Sequence, residues 1–410
     1  MRVVYPRCCG VDVHKDSLTA TVLVFHEDGG CQVRRKEYAT HKKALANFRT
    51  WLTQLKVTHV AMESTGVYWI PIWNAFEGSK IEMILANPRQ VKNIPGEKTD
   101  PRDSKWLADL LAHGLIRPSF VPPREIRQLR DLTRQRVKLQ EEYNRIHNRV
   151  HKVLEDASIK LDTVASDILG ASGRAIIDGI IQGIPVDWLP DRAKSHLRKK
   201  RNQLRLVVAG RVTEHHRWLL RELMDEVNFV EGQILKVDER LSALMKPHEE
   251  LIERLCTIPG VGVLTAWTLI AELGVDMTVF PSADHAASWA GLCPGNYQSA
   301  GKRLSNRTRK GNRWLRRALC QAAWAATHKK NCYLASAFYR HAARHGHKKA
   351  IVATAHRLLI IAYQLMREKT VYRELGGDYF DQLHPERTRN RLVRRLERLG
   401  LQVTLQHRPE

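Results

Sequence analysis

Short β-branched and apolar runs, separated by turn residues, fill the first ninety positions. Residues 8–14 and 18–25 read as two strands, and Gly29-Gly30 turns the chain into a third near 31–38. Thr40 can cap a helix over 41–55, whose Ala44, Leu45, Phe48 and Leu52 then share one face. Val57–Met62 is a fourth strand, followed by a helix to about Phe76, and Ile81–Ala86 is a fifth, followed by a helix from about 101 to 114. A three-stranded meander followed by strand–helix repeats predicts a mixed α/β sheet.

Past Pro122-Pro123 the period changes. Leu129, Leu132, Leu139, Tyr143, Ile146, Val150 and Val153 follow a heptad-like pattern that Arg136 interrupts. Leu223, Val227, Val230, Ile234, Val237, Leu241 and Leu244 alternate steps of four and three without a break. Such spacing predicts long helices meeting along a narrow seam. The seam serves either an antiparallel hairpin within the chain or a coiled coil between chains, and the intervening segment (about 160–212) fits both. A mostly helical region begins near Glu249, and the Arg-rich last thirty residues read as a basic helix with a frayed tail. The predicted domains are 1–122, 123–248 (coiled-coil helices with a helical insertion), 249–375 and a basic tail, 376–410.

Charge narrows the class of partner. The 410 residues carry 67 Lys plus Arg against 43 Asp plus Glu, a net charge of +24, which exceeds what solubility requires. Between Asp284 and Glu368 there is no carboxylate, yet there are sixteen Lys and Arg. Uncompensated like charge of that density calls for a polyanion. No run of about eighteen apolar residues offers a membrane span, and no signal peptide precedes Cys8, so nucleic acid is preferred over a membrane. The seven cysteines are odd in number and lack C-x-x-C spacing, which argues for reduced thiols and against a disulfide framework or a Cys-based zinc site.

The acidic residues of the first region are placed differently. Asp12 ends the first strand and Glu63 follows the fourth, and the strand order matches an RNase H-like fold in which those strands are neighbours. Asp100 and Asp103, three apart in Lys-Thr-Asp-Pro-Arg-Asp-Ser, share the first turn of a helix. Four convergent carboxylates repel one another. Two Mg²⁺ ions remove that penalty and create a phosphoryl-transfer site, with metals typically ~3.5–4 Å apart. Taken alone, Asp100-Pro101-Arg102-Asp103 is equally a helix start, with Asp at the N-cap and Pro at N1. Asp16 and Glu97 are neighbouring decoys.

The C-terminal region offers phosphate contacts. Residues 255–274 have the form of a helix-hairpin-helix, in which Gly260 and Gly262 of Pro-Gly-Val-Gly let backbone N–H groups approach a phosphate. A plain tight turn is the alternative. In 291–317, a Gly/Pro loop leads into Lys302, Arg303, Arg307, Arg309, Lys310, Arg313, Arg316 and Arg317, a density that predicts steeply salt-dependent binding. Ser299 stands on the loop beside this charge, where its hydroxyl either attacks a phosphodiester or simply binds a phosphate. Ser305 and Tyr297 are competing nucleophiles.

These residues resemble the DEDD-type insertion-sequence transposases of family one hundred and ten. The resemblance rests on Gly10-Val-Asp-Val-His-Lys15, Met62-Glu-Ser-Thr-Gly66 and Lys98-Thr-Asp-Pro-Arg-Asp-Ser104 in the first region. In the last it rests on Ile258-Pro-Gly-Val-Gly262, Gly291-Leu-Cys-Pro294, Ser299-Ala-Gly-Lys302 and Lys310-Gly-Asn-Arg-Trp-Leu-Arg316. It implies a RuvC-type nuclease domain with Asp12, Glu63, Asp100 and Asp103 as its acidic set, and a transposase domain whose catalytic serine falls on Ser299. It further implies an RNA-guided recombinase of donor and target DNA. The guide would be a structured RNA from the element, and the reaction would pass through a phosphoserine linkage and a four-way junction. Active sites would be assembled from two subunits of a homodimer or homotetramer, acting on DNA in a prokaryotic cytoplasm at the nucleoid. Ala300 departs from the glycine or serine often found there. The other readings are a stand-alone RuvC-like four-way-junction nuclease and a non-catalytic nucleic-acid-binding protein.

Overall fold

A computed structural model describes residues 2–64, 66–88, 91, 103–295, 297–299, 302–305 and 307–406, with backbone alone at 297–299 and 302–305. The chain forms two compact units, Met1–Val121 and Pro122–Glu410.

The first unit is built on strands β1 (Arg7–Val13), β2 (Ser17–Phe25), β3 (Cys31–Ala39), β4 (His59–Glu63) and β5 (Glu82–Ala86). Their order is β3-β2-β1-β4-β5. The β1–β2 and β2–β3 pairs are antiparallel, whereas β4 runs parallel to β1 and β5 parallel to β4. This is the mixed sheet that the sequence pattern predicts. Helices α1 (Lys42–Gln54) and α2 (Trp69–Phe76) cover one face, where Val11, Met62, Phe48 and Phe76 share a core. Helix α3 (Asp103–Ala112) covers the other, where Cys8 and Ala61 meet Ala108 and Leu111. Edge strand β3 exposes Arg34, Arg35 and Lys36, charges that discourage pairing with another chain.

The second unit is helical apart from a small hairpin. Helix α4 (Arg124–Asp156, 33 residues) leads into a cap formed by the short helices α5 (Ala171–Ile181), α6 (Ser195–Arg198) and α7 (Arg201–Val208). Helix α8 (Glu214–Met245, 32 residues) then runs back along α4. Arg136 bonds Asp238 at 2.6 and 3.1 Å, and Arg149 bonds Glu226 at 2.8 Å. Partner numbers fall as α4 numbers rise, so the two helices are antiparallel within one chain. Val150, Leu154, Val227 and Val230 continue into the cap's own core around Ile176, Ile177 and Leu204.

Beyond α8 come α9 (Glu249–Cys256), α10 (Val263–Leu273), α11 (Ala283–Trp289), the hairpin β6 (Tyr297–Ser299) and β7 (Lys302–Ser305), and α12 (Arg313–Thr327). Helices α13 (Tyr333–His345), α14 (His347–Glu368), α15 (Tyr379–Leu383) and α16 (Pro385–Glu397) complete the unit. Among the described residues, no helix is long and apolar enough to cross a membrane.

Candidate active site

The parallel register of β1 and β4 runs from Cys8↔His59 to Val11↔Met62. One residue further along both strands stand Asp12 and Glu63. Side chains alternate across a sheet, and Val11 and Met62 belong to the α1/α2 core. Asp12 and Glu63 therefore belong to the opposite face, which α3 covers.

Helix α3 runs antiparallel to β1. The Val4 N–H donates to Ala112 O at 2.7 Å, and the Cys8 thiol donates to Ala108 O at 3.5 Å. A Cβ on Gly10 would stand 2.1 Å from Ser104 O, so only glycine lets the helix lie this close to the strand. Thr21 and Ser104 share a buried hydroxyl hydrogen bond of 2.8 Å, which pins the first turn of α3 to β2. Asp103 opens that turn. The helix start thus reaches the same end of the sheet as Asp12 and Glu63. Asp100 lies outside the described residues.

Asp12 retains 25% side-chain exposure, and its Oδ2 lies 3.2 Å from His14 Nε2. His14 is a neighbour that carboxylate spacing alone does not single out, although it stands in the motif Gly-Val-Asp-Val-His-Lys. Two positions on along an extended chain, it falls on the same side as Asp12. The decoy Asp16 is exposed in the turn before β2. Of the two cysteines of β1, Cys8 faces α3 and Cys9 the opposite core, and burial pushes the Cys8 thiol up to about 12 and the Cys9 thiol well above its usual value, which disfavours the reactive thiolate at both. Elsewhere, ligand atoms of His151, Glu155 and Asp162 lie within 4.8 Å of one another, but Glu155 is already paired with Lys160.

In the second unit, Ser299 ends β6, with its backbone paired to Lys302 of β7. The side chains of Ser299, Lys302, Arg303, Tyr297 and Ser305 lie outside the described residues. Arg307, Arg309, Lys310 and Arg313 are exposed, and the Arg313 guanidinium sits 4.5 Å from the Trp314 ring centroid. Two other cations are engaged internally. Arg316 donates to Gly291 O at 3.0 Å and Thr308 Oγ1 at 2.7 Å, and Arg317 pairs with Glu141 of α4.

The turn between α9 and α10 divides its two glycines. Gly260 has φ +84°, and a Cβ there would stand 2.2 Å from Ala322 O of α12, so this glycine serves helix packing. Gly262 is the N-cap of α10, in extended backbone, with open space where its Cβ would be. Gly260→Ala is therefore expected to destabilise the protein by about 2–4 kcal/mol, read as a lowered Tm. Gly262→Ala should leave Tm nearly unchanged, which separates packing from any contact this turn makes with phosphate.

Comparison with known proteins identifies the family of the chain. Residues 9–159 match the DEDD-type IS110 transposase family, and residues 252–340 match the transposase IS116/IS110/IS902 family. The chain is 24% identical to a probable family 20 transposase of Pseudomonas aeruginosa, across 83% of this chain and 94% of that one. It is 25% identical to the transposase for insertion sequence element IS1111A of Coxiella burnetii, across 89% and 90%. A pilin gene-inverting protein of Moraxella bovis is 30% identical, across 42% of this chain and 59% of its own length. The Thermus thermophilus RuvC structure aligns with 28% of this chain and 99% of its own, at 14% identity and a TM-score of 0.20. The chain belongs to the IS110 family of insertion-sequence transposases, enzymes that recombine DNA.

Proposed function

We propose that this transposase is an RNA-guided, Mg²⁺-dependent recombinase that uses Ser299 as its nucleophile. The observation that supports this most is the position of Asp12 and Glu63, each one residue beyond the Val11↔Met62 register on adjacent parallel strands, at the end of the sheet where α3 starts. An all-oxygen donor set suits Mg²⁺ rather than zinc or copper, and the partly exposed Asp12 carboxylate can reach an ion from solvent. In this reading Asp12, Glu63, Asp100 and Asp103 hold the metal. Bound there, Mg²⁺ would neutralise charge developing on the scissile phosphate and favour loss of the attacking proton.

Ser299 Oγ attacks the phosphorus of a phosphodiester. A serine–phosphate bond forms as the bond to one deoxyribose oxygen breaks, and that oxygen leaves as a hydroxyl with the proton. Attack by a strand-end hydroxyl reverses the step and joins new partners, so no bond energy is lost to water. In this reading 1–122 is the RuvC-like domain, 123–248 a coiled-coil segment and 249–375 the transposase domain. A helix-hairpin-helix at Gly260–Gly262 grips the backbone, and the tail 376–410 adds charge. Two or four subunits combine these parts.

The exposed Arg309, Lys310 and Arg313 would contact phosphates, which carry no sequence information by themselves. Sequence choice then falls to base pairing with a structured RNA from the element. The test uses protein expressed together with the DNA flanking its gene. Ribonuclease treatment is expected to abolish site-specific cleavage of a plasmid carrying that DNA, while binding to random duplex persists and weakens steeply with salt. Site-specific cleavage that survives complete RNA removal would refute the RNA-guided reading.

A further inference from the structure

Helix α10 reads Val-Leu-Thr-Ala-Trp-Thr-Leu-Ile-Ala-Glu-Leu, an apolar run with one charge, Glu272, whose side chain is 0% exposed. An isolated buried carboxylate is untenable, so its partners are informative. Arg134 of α4 holds it with two bonds of 2.8 and 2.9 Å. Arg130, one turn earlier on α4, lies 3.2 Å from Glu272 Oε2 and also donates to the main-chain oxygens of Ala271 at 3.2 Å and Glu272 at 2.8 Å. Burial lowers the Arg130 pKa to about 10, against the opposing pull of Glu272, so the guanidinium stays charged near neutrality.

The third partner links this cluster to the serine loop. Asn312 Nδ2 donates to Glu272 Oε2 at 2.5 Å, while Asn312 Oδ1 accepts from the N–H groups of Trp314 and Leu315 and caps α12. Asn312 is also the residue at which the returning arm of the hairpin enters that helix. Its N–H donates to Trp289 O at 3.1 Å, and the arm is fastened to the outgoing one by Gly295 N–H to Arg307 O at 2.9 Å and by a Pro294↔Thr308 bridge. Arg316 braces the same base through Gly291 O and Thr308 Oγ1.

We propose that Glu272, gripped by Arg130 and Arg134, is a positioning residue that sets the β6–β7 hairpin through Asn312. Its catalytic consequence rests on the reading of Ser299 as the nucleophile. The carboxylate accepts three side chains from two helices and fixes where the hairpin leaves the fold. Neither helix start nor loop base could supply that alignment alone, since both hinge on the one amide of Asn312.

Glu272→Ala is a poor test, because two buried guanidinium groups would lose their counter-charge and the chain would misfold. Asn312→Ser keeps an effective N-cap for α12 and leaves the Arg–Glu pairs intact, but it removes the amide that reaches Glu272. The full-length variant is compared with wild type in three measurements. These are amide exchange across 297–305 and across α12, affinity for a plasmid carrying the gene's flanking DNA, and cleavage rate of that plasmid at saturating protein with Mg²⁺. Exchange in the hairpin is expected to quicken and cleavage to slow by about tenfold or more, the size of a lost hydrogen bond to a charged acceptor, while affinity and α12 exchange hold. Unchanged cleavage overturns the proposal. So does slowing matched by faster exchange throughout α12, which marks simple destabilisation. The exchange readout does not depend on which atom attacks DNA, so failure of Ser299 as nucleophile would be seen separately, in adduct trapping.

Discussion

Asp12→Ala is expected to abolish Mg²⁺-dependent strand cleavage while leaving DNA binding and folding intact. With Asp12 in the proposed role of metal ligand, its loss would remove several kcal/mol of transition-state stabilisation, a rate loss on the order of 10³-fold or more. The fold should tolerate the change, because the Asp12–His14 contact at 3.2 Å involves a histidine with 64% exposure and contributes little to stability. In the proposed four-carboxylate site, removing one acid would relieve repulsion, so Tm in metal-free buffer should hold or rise. Glu63→Gln should behave alike. Asp16→Ala, in the exposed turn before β2, is the control that stays active. An Asp12→Ala protein with wild-type cleavage would remove this residue from the site.

Ser299→Ala is expected to eliminate a covalent protein–DNA adduct, trapped by denaturation and digestion of the DNA. Ser305→Ala should retain it. The hydroxyl is either present to form the serine–phosphate bond or absent, so the effect is all or none for the adduct, with overall strand exchange falling on the order of 10³-fold or more. DNA affinity should not change. An adduct that persists without Ser299 would shift the nucleophile to Tyr297 or Ser305. Cleavage with no adduct in wild type would favour a hydrolytic RuvC-like nuclease.

The sheet was legible because its strands are short, β-branched and bounded by turns. The adjacency of Asp12 and Glu63 followed from strand order, and the register Val11↔Met62 carries it. The seam of α4 and α8 was legible as a period, but period cannot say whether partners share a chain. Ion pairs such as Arg149–Glu226 join the two helices within one chain. Arg136, an interruption in the heptad pattern, is ion-paired to Asp238 and so fits the seam by charge. Counting cations could not separate exposed Arg309 from Arg316, whose donors are used within the loop base. Nor could a Pro-Gly-Val-Gly string separate the packing glycine Gly260 from the open Gly262. Glu272 left one signal, a lone charge in an apolar helix, but its partners lie about 40 and 140 residues away in sequence.

Helix α4 carries Arg130 and Arg134 near its start and the cap-core residues Val150 and Leu154 near its end. Twenty residues of helix separate Arg130 from Val150, about 30 Å of stiff rod at 1.5 Å per residue. One end is keyed into the cap and the other into the Glu272 cluster. A displacement of the cap would therefore be carried by one continuous helix to the Glu272 cluster at the base of the β6–β7 hairpin.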